Sequence, residues 1–181
     1  NYFLWESNYS GNCKVVNIAN EKKDEDIRPL NEFKVFVRQN RSIKILRKIQ
    51  SANITNISSL VGSRNPYGLG SSARGKKNEF KNSLPLHSSD GISYIEKDKL
   101  TKGQDLISKY RIMLSKVTSE HAGEPDKNDQ FKILSKMIIL PPNNVCTDSY
   151  LIIEGLNNKE SIENLYYYLK TKFARFCLMQ A

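Results

Sequence analysis

A quarter of this sequence has no acid. Residues 33–78 contain neither aspartate nor glutamate, yet hold ten cations: Lys34, Arg38, Arg41, Lys44, Arg47, Lys48, Arg64, Arg74, Lys76 and Lys77. The whole chain of 181 residues has 28 basic and 19 acidic side chains, a formal charge of +9. Outside residues 33–78, 18 basic residues face 19 acidic ones, so the surplus lies in this one stretch. A nearly neutral scaffold with one concentrated cationic segment points to a polyanionic partner, most often nucleic acid.

Other absences narrow the reading further. No apolar run approaches a membrane span and no signal-peptide pattern opens the chain, so we expect a cytoplasmic protein with no membrane partner. The three cysteines, Cys13, Cys146 and Cys177, are odd in number and widely spaced. That usage fits reduced thiols better than a disulfide framework. Histidine is nearly missing. His87 reads as a surface residue. His121, beside Glu120, Glu124 and Asp126, has too few ligand types at ordered spacing, so no metal is expected. Cys146 has no histidine near it in sequence, and Pro125-Asp126 has no acidic-x-Lys partner of the kind nucleases carry. No glycine-rich cofactor fingerprint follows a strand, and the Walker order G-x-x-x-x-G-K-[ST] does not occur. The first residue is not Met and the chain opens directly on a hydrophobic pattern, as a fragment of a longer protein would.

What is present reads as α+β, mostly antiparallel sheet with a few packing helices. Residues 2–6 (YFLWE) and 13–19 (CKVVNIA) predict a strand–turn–strand, and 20–32 a charged connector. Residues 33–37 (FKVFV) alternate like a half-buried strand. Residues 40–51 (NRSIKILRKIQS) predict a helix with Asn40 as N-cap, Ile43, Ile45, Leu46 and Ile49 on one side, and Arg41, Lys44, Arg47 and Lys48 on the other. Asn53 is a candidate cap for a second short helix through Leu60. Ser-Asp-Gly within 84–96 marks a hairpin, with Ile92, Tyr94 and Leu86 on facing strands. A short helix near 103–109, strands at 110–117, 131–140 and 145–153, and a loop at 118–130 complete the middle of the chain. Asn157 and Glu160 resemble a capping box. It opens a long C-terminal amphipathic helix with Ile162, Leu165, Leu169, Phe173 and Phe176 as its core stripe. Tyr166, Tyr167 and Tyr168 cannot all face the core.

The second half of the cationic stretch, residues 58–77 (SSLVGSRNPYGLGSSARGKK), holds four of the nine glycines and only positive charge. Such a loop can bring backbone N–H groups to phosphate oxygens. Arg64 and Arg74 are suited to phosphates or guanine edges, and Asn65 to adenine.

Several blocks, in order, resemble the region after the catalytic domain of bacterial type II restriction–modification DNA adenine methyltransferases. Residues 2–15 (YFLWESNYSGNCKV) are similar to the strand–turn–strand that ends that domain. Residues 63–69 (SRNPYGL) resemble the family's Ser-Arg-(Lys/Asn)-Pro-(Phe/Tyr)-Gly-Leu loop. Residues 92–95 (ISYI) match a strand in which Ser93 stands at a glycine position. Residues 111–121, 146–153 and 163–176 match three further blocks. The resemblance spans almost the whole chain. It implies that residues 1–28 belong to the end of an upstream methyltransferase domain of the same polypeptide, and that 29–181 form the target-recognition domain. Neither the family's cofactor loop nor its Asn-Pro-Pro-Tyr motif is present, since Asn65-Pro66-Tyr67 lacks the second proline. The resemblance therefore implies no catalytic residue and no cofactor here, with S-adenosylmethionine bound by the parent enzyme. Double-stranded DNA is the implied ligand, and an endonuclease domain or subunit a possible partner. The residues expected to meet DNA are Arg41, Lys44, Lys48, Arg64, Asn65, Tyr67, Arg74, Lys76 and Lys77. Two alternatives stay open: a nuclease fragment of a restriction enzyme, and a module docking an acidic subunit.

Overall fold

A computed structural model describes residues 3–19, 21–52, 57–116, 133–156 and 158–180. The chain divides into two compact units, Asn1–Thr55 with Gln180–Ala181, and Asn56–Met179. The boundary expected at residue 28 falls inside the first.

In the first unit, strands β1 (Cys13–Ala19) and β2 (Lys22–Arg28) form an antiparallel hairpin running from Cys13↔Arg28 to Ala19↔Lys22. Helix α1 (Asn40–Ser51) packs beside it. The partner of β1 is thus not residues 2–6, as expected. Phe3, Leu4 and Trp5 are exposed and outside any strand. The sequence of β2, KKDEDIR, carries no apolar alternation because almost all of it faces water. Its pairing rests on the backbone ladder, aided by Glu25 between Lys14, at 3.1 Å, and Lys23. Residues 21–32 are therefore not simply a connector, and 33–37 form no strand, with bends at 33–35. Of the latter, only Val37 is fully buried.

Helix α1 has the expected limits, but Asn40 is not its cap. Gln39 holds that position without a side-chain bond. Asn40 is the first helical residue, and its buried amide works sideways. It donates to the carbonyls of Val15 (2.9 Å) and Asp24 (3.2 Å) and accepts from Arg28 Nε (3.2 Å), while its N–H donates to Asn17 Oδ1 (2.8 Å). One side chain thereby links both strands to the helix. Arg28 is also buried, and lies 5.8 Å from the Phe36 ring centroid. Ile43 is buried, but Ile45 is exposed, so the apolar stripe is narrower than the sequence suggested.

Among the described residues the second unit holds two three-stranded sheets. In the first, β3 (Ser83–Ser88) pairs antiparallel with β4 (Gly91–Glu96) and parallel with the short β7 (Val145–Cys146), giving the order β4-β3-β7. The predicted hairpin is present, with Ser89 and Asp90 as its two-residue loop and Gly91 at φ +110°. In the second, β5 (Tyr110–Ser115) lies between β6 (Met137–Leu140) and β8 (Tyr150–Leu156), antiparallel to both. The single strand expected over 145–153 is therefore two, separated by a turn at 147–149 that sends them to different sheets. The helix expected near 103–109 is one 3-10 turn, Gln104–Leu106.

Alternation along β5 supplies two cores. Ile112 packs with Met137, Ile153, Ile162 and Leu169, and Met113 with Leu86, Leu140, Val145 and Tyr67. Helix α2 (Lys159–Leu169) covers the first side. Its cap is Asn158, whose Oδ1 accepts from Glu160 N at 2.7 Å; Asn157 lies outside the described residues, as do Asn53 and the 118–130 loop with His121.

The C-terminal helix is not one long element. It stops at Leu169 and restarts as α3 (Lys172–Met179). Thr171 causes the restart: its Oγ1 donates to Tyr168 O at 2.7 Å and accepts from Ala174 N at 3.2 Å, as an N-cap does. The stripe consequently ends at Leu169. Phe173 is exposed and Phe176 half-buried, and of the three tyrosines only Tyr166 packs on the core. The architecture is α+β and mostly antiparallel.

Gly103 shows how tightly the second unit is closed. It has φ +68°, and a Cβ there would lie 2.4 Å from the Pro66 carbonyl oxygen. At Gly70 a Cβ would meet nothing within 4 Å. Gly103→Ala is expected to destabilise the unit by about 2 kcal/mol or more, and Gly70→Ala to stay within about 0.5 kcal/mol, by urea denaturation.

Candidate nucleic-acid interface

The loop between residues 61 and 76 is held at both ends. Val61 forms a bridge to Ile153 on β8, and Gly62 N–H donates to Ile152 O at 2.9 Å. At the far end Lys76 exchanges two backbone bonds with Tyr94 on β4, at 2.8 and 2.9 Å. Between these ends Pro66, Tyr67 and Leu69 are buried. Turn geometry makes this possible: Asn65 has φ +52° and Gly68 φ +77°, and Gly68 N–H closes on Asn65 O at 3.3 Å. Asn is the non-glycine residue most tolerant of that region. Thr101 N–H donates to Tyr67 O at 3.2 Å and Asp148 N–H to Leu69 O at 2.9 Å.

Glycine serves closeness here, not phosphate binding. A Cβ at Gly75 would stand 2.2 Å from Tyr94 O, and Gly75 N–H donates to Ser93 Oγ at 3.0 Å. Gly62, Gly68 and Gly75 thus spend their N–H groups inside the protein. The expectation of a backbone cradle for phosphate fails for three of the loop's four glycines.

The loop's polar side chains separate into two groups. Arg64, Lys76 and Lys77 are exposed. Neither Arg64 nor Lys77 enters a salt bridge among the described residues, and Lys76 Nζ lies 4.4 Å from the Phe80 ring centroid. Arg74, by contrast, is clasped. Its Nε meets Asp90 Oδ2 at 2.7 Å, and its other nitrogens donate to Ser71 O, Ala73 O and Ser89 Oγ at 2.8–3.1 Å. It pins the loop to the β3–β4 turn and does not project freely.

Two expected DNA contacts lie elsewhere than the sequence suggested. Tyr67 has no exposed surface; its hydroxyl accepts from the buried Arg111 guanidinium, and burial pushes its pKa up to about 12. Asn65 is half-buried, and its Oδ1 is shut from solvent without a hydrogen-bond partner. Its full amide edge is not presented for pairing with adenine. The reason is common to both: the segment is a packed turn, with Pro66, Tyr67 and Leu69 buried and Asn65 half-buried between them and the exposed Arg64.

The sequence reading gave Arg111, inside the strand expected at 110–117, no role. The signal was one cation inside an otherwise apolar strand, YRIMLS. Nearby, Asp148 bonds Lys116 Nζ and also receives the Asn65 N–H; with the Arg64 charge, these hold its carboxyl below the usual range, Lys116 foremost. Cys146, buried beside them, has its thiol pushed up to about 12 by burial and is a poor nucleophile.

Helix α1 belongs to the other unit. Arg41, Lys44 and Lys48 are exposed on it, with Arg41 Nε donating to Gln39 Oε1 at 3.1 Å. Arg47 is paired with both oxygens of Glu32, at 2.5 and 3.0 Å.

Among the described residues no group of three or more His, Cys, Asp or Glu side chains is placed to hold a metal, and no helix is long and apolar enough to cross a membrane. Comparison with models of protein families, with curated proteins and with solved structures found no match.

The Arg74 clasp has a pH signature. Arg74, then Ser89, hold the Asp90 carboxyl below its ordinary value of 3.8. A depressed folded value means the clasp's contribution is present above the unfolded value and is lost as pH falls through the folded one. Titration of the Asp90 carboxyl carbon by NMR is expected to give a midpoint below 3.8, rising toward it in Arg74→Ala, where the Ser89 hydrogen bond remains.

Proposed function

We propose that this chain is a DNA target-recognition region of a restriction–modification adenine methyltransferase, in which residues 63–69 present Arg64 to a base edge. The observation that carries this reading is an exposed guanidinium, outside any salt bridge of the described residues, on an immobilised turn. Arg64 is exposed and outside every salt bridge of the described residues, while Asn65 and Gly68 at positive φ, buried Pro66 and buried Tyr67 fix the backbone next to it. Base reading needs a fixed direction, and gripping phosphate does not. Arg41, Lys44, Lys48, Lys76 and Lys77 supply phosphate contacts, Arg74 joining them when its clasp opens. S-adenosylmethionine binds an upstream catalytic domain of the same polypeptide, with an endonuclease domain or subunit as a further partner.

Phosphate neutralisation releases condensed counterions, so duplex binding weakens steeply with salt. Lys44→Glu with Lys48→Glu is expected to weaken all duplexes alike and to flatten the slope of log K against log salt. Unaltered binding would leave that helix face merely solvated.

Base reading separates from phosphate gripping by a second measurement. A randomised duplex library, selected on the chain and sequenced, is expected to yield a motif. Arg64→Ala should remove preference at one or two positions, a loss of about 1–3 kcal/mol against the cognate base. Arg64→Lys should not restore it, since lysine lacks the planar fork. Lys77→Ala should lower affinity and keep the motif. Equal loss on every sequence in Arg64→Ala would make Arg64 a phosphate contact and end the assignment of base reading to this loop.

A further inference from the structure

The most anomalous group in the second unit is the Arg111 guanidinium. It has no exposed surface, and it takes part in no ion pair among the described residues. Its NH1 donates to the Tyr67 hydroxyl and its NH2 to Pro141 O at 2.8 Å, while Nε has no hydrogen-bond partner. The guanidinium carbon lies 5.8 Å from the Tyr67 ring centroid. An unpaired buried cation is a poor way to fill a core, and apolar side chains of similar volume commonly fill such places as well or better. The arrangement is instead suited to direction. A bond from β5 to the phenol oxygen fixes where the Tyr67 ring points, and Tyr67 is the buried pivot of the turn that carries Arg64.

We propose that Arg111 is a positioning residue for base discrimination, acting through Tyr67. This rests on the loop's reading of DNA proposed above. It predicts that stability and specificity separate. Arg111→Met with Tyr67→Phe removes the cation and its phenol acceptor together, leaves the carbonyl of the exposed Pro141, and keeps the volume. The double variant is expected to melt at or above the parent's temperature and to bind random-sequence duplex as the parent does. Its preference at the positions read by Arg64 should fall about tenfold. Amide exchange should quicken at Gly68 and Asp148, whose N–H groups bond Asn65 O and Leu69 O within and beside the turn, and remain slow at Ile112 and Met113. A merely structural Arg111 would lower the melting temperature and leave the motif intact.

The same library selection is run on the parent, Arg64→Ala, Tyr67→Phe and the double variant. If Arg64→Ala flattens the motif and the double variant keeps it, Arg111 has no positioning role. If the parent enriches no motif, or Arg64→Ala keeps it, the loop's DNA reading is wrong and this inference falls with it. If the double variant shows no cooperative unfolding transition, Tyr67→Phe carries the test: retention of the full motif overturns the proposal, and its flattening supports it.

Discussion

Tyr67 sits with its ring in the core of the second unit and its backbone in the loop that crosses the surface, and most of what is distinctive there depends on that double placement. Burying a large side chain contributes about 1.5–3 kcal/mol. Burying a guanidinium beside it costs several kcal/mol before its bonds are counted, and hydrogen bonds to a charged group return roughly 1.5–3 kcal/mol each. The hydroxyl of Tyr67 and the carbonyl of Pro141 therefore roughly balance Arg111 without making it a net source of stability. What the pair adds is a single orientation. Gly103 and Gly68 complete the fit, since side chains there would collide with Pro66 and with Thr101.

The first unit is organised by a different principle. Its hairpin has little apolar surface to bury against α1, and the buried polar pair Arg28–Asn40 takes the place of a larger core. Asn40 is shared among two strand carbonyls and an arginine, so the position of the helix is defined by hydrogen bonds more than by packing. This suits a short segment whose other face carries Arg41, Lys44, Arg47 and Lys48 and has to stay in water.

Where side chains alternate or recur on one face, the sequence was readable. The 84–96 hairpin, β5, the limits of α1 and the core positions Ile162 and Leu169 follow from period and turn chemistry alone. The failures have a shared physical cause. Strand β2 is exposed on nearly all its length, so nothing marks it but a ladder of backbone bonds, which leaves no trace in side-chain type. The break at Thr171 was visible only as a threonine in a good helical pattern, and the cap won over the pattern. At the candidate site, charge identified the segment but not the disposition of its members. Arg64 and Arg74 look alike in sequence, yet one is free of ion pairs and the other is clasped by an aspartate sixteen residues away. Tyr67 and Asn65 look like surface chemistry because their neighbours are polar, and only the three-dimensional turn sends them inward.

The two ends of the loop have a consequence for the exposed rims of the two sheets. β4 is one of the two outer strands of its sheet and β8 one of the two of the other, and Lys76 and Val61 each occupy part of those rims. A bare rim is a template on which a foreign strand can add, the usual start of aggregation. One segment thus partly shields both. Its middle is fixed by the burial of Pro66, Tyr67 and Leu69, and its end residues carry a second constraint, the backbone bonds they make to those rims. Changes at Val61 or Lys76 that break those backbone bonds would uncover strand edges even where the turn between them stays packed.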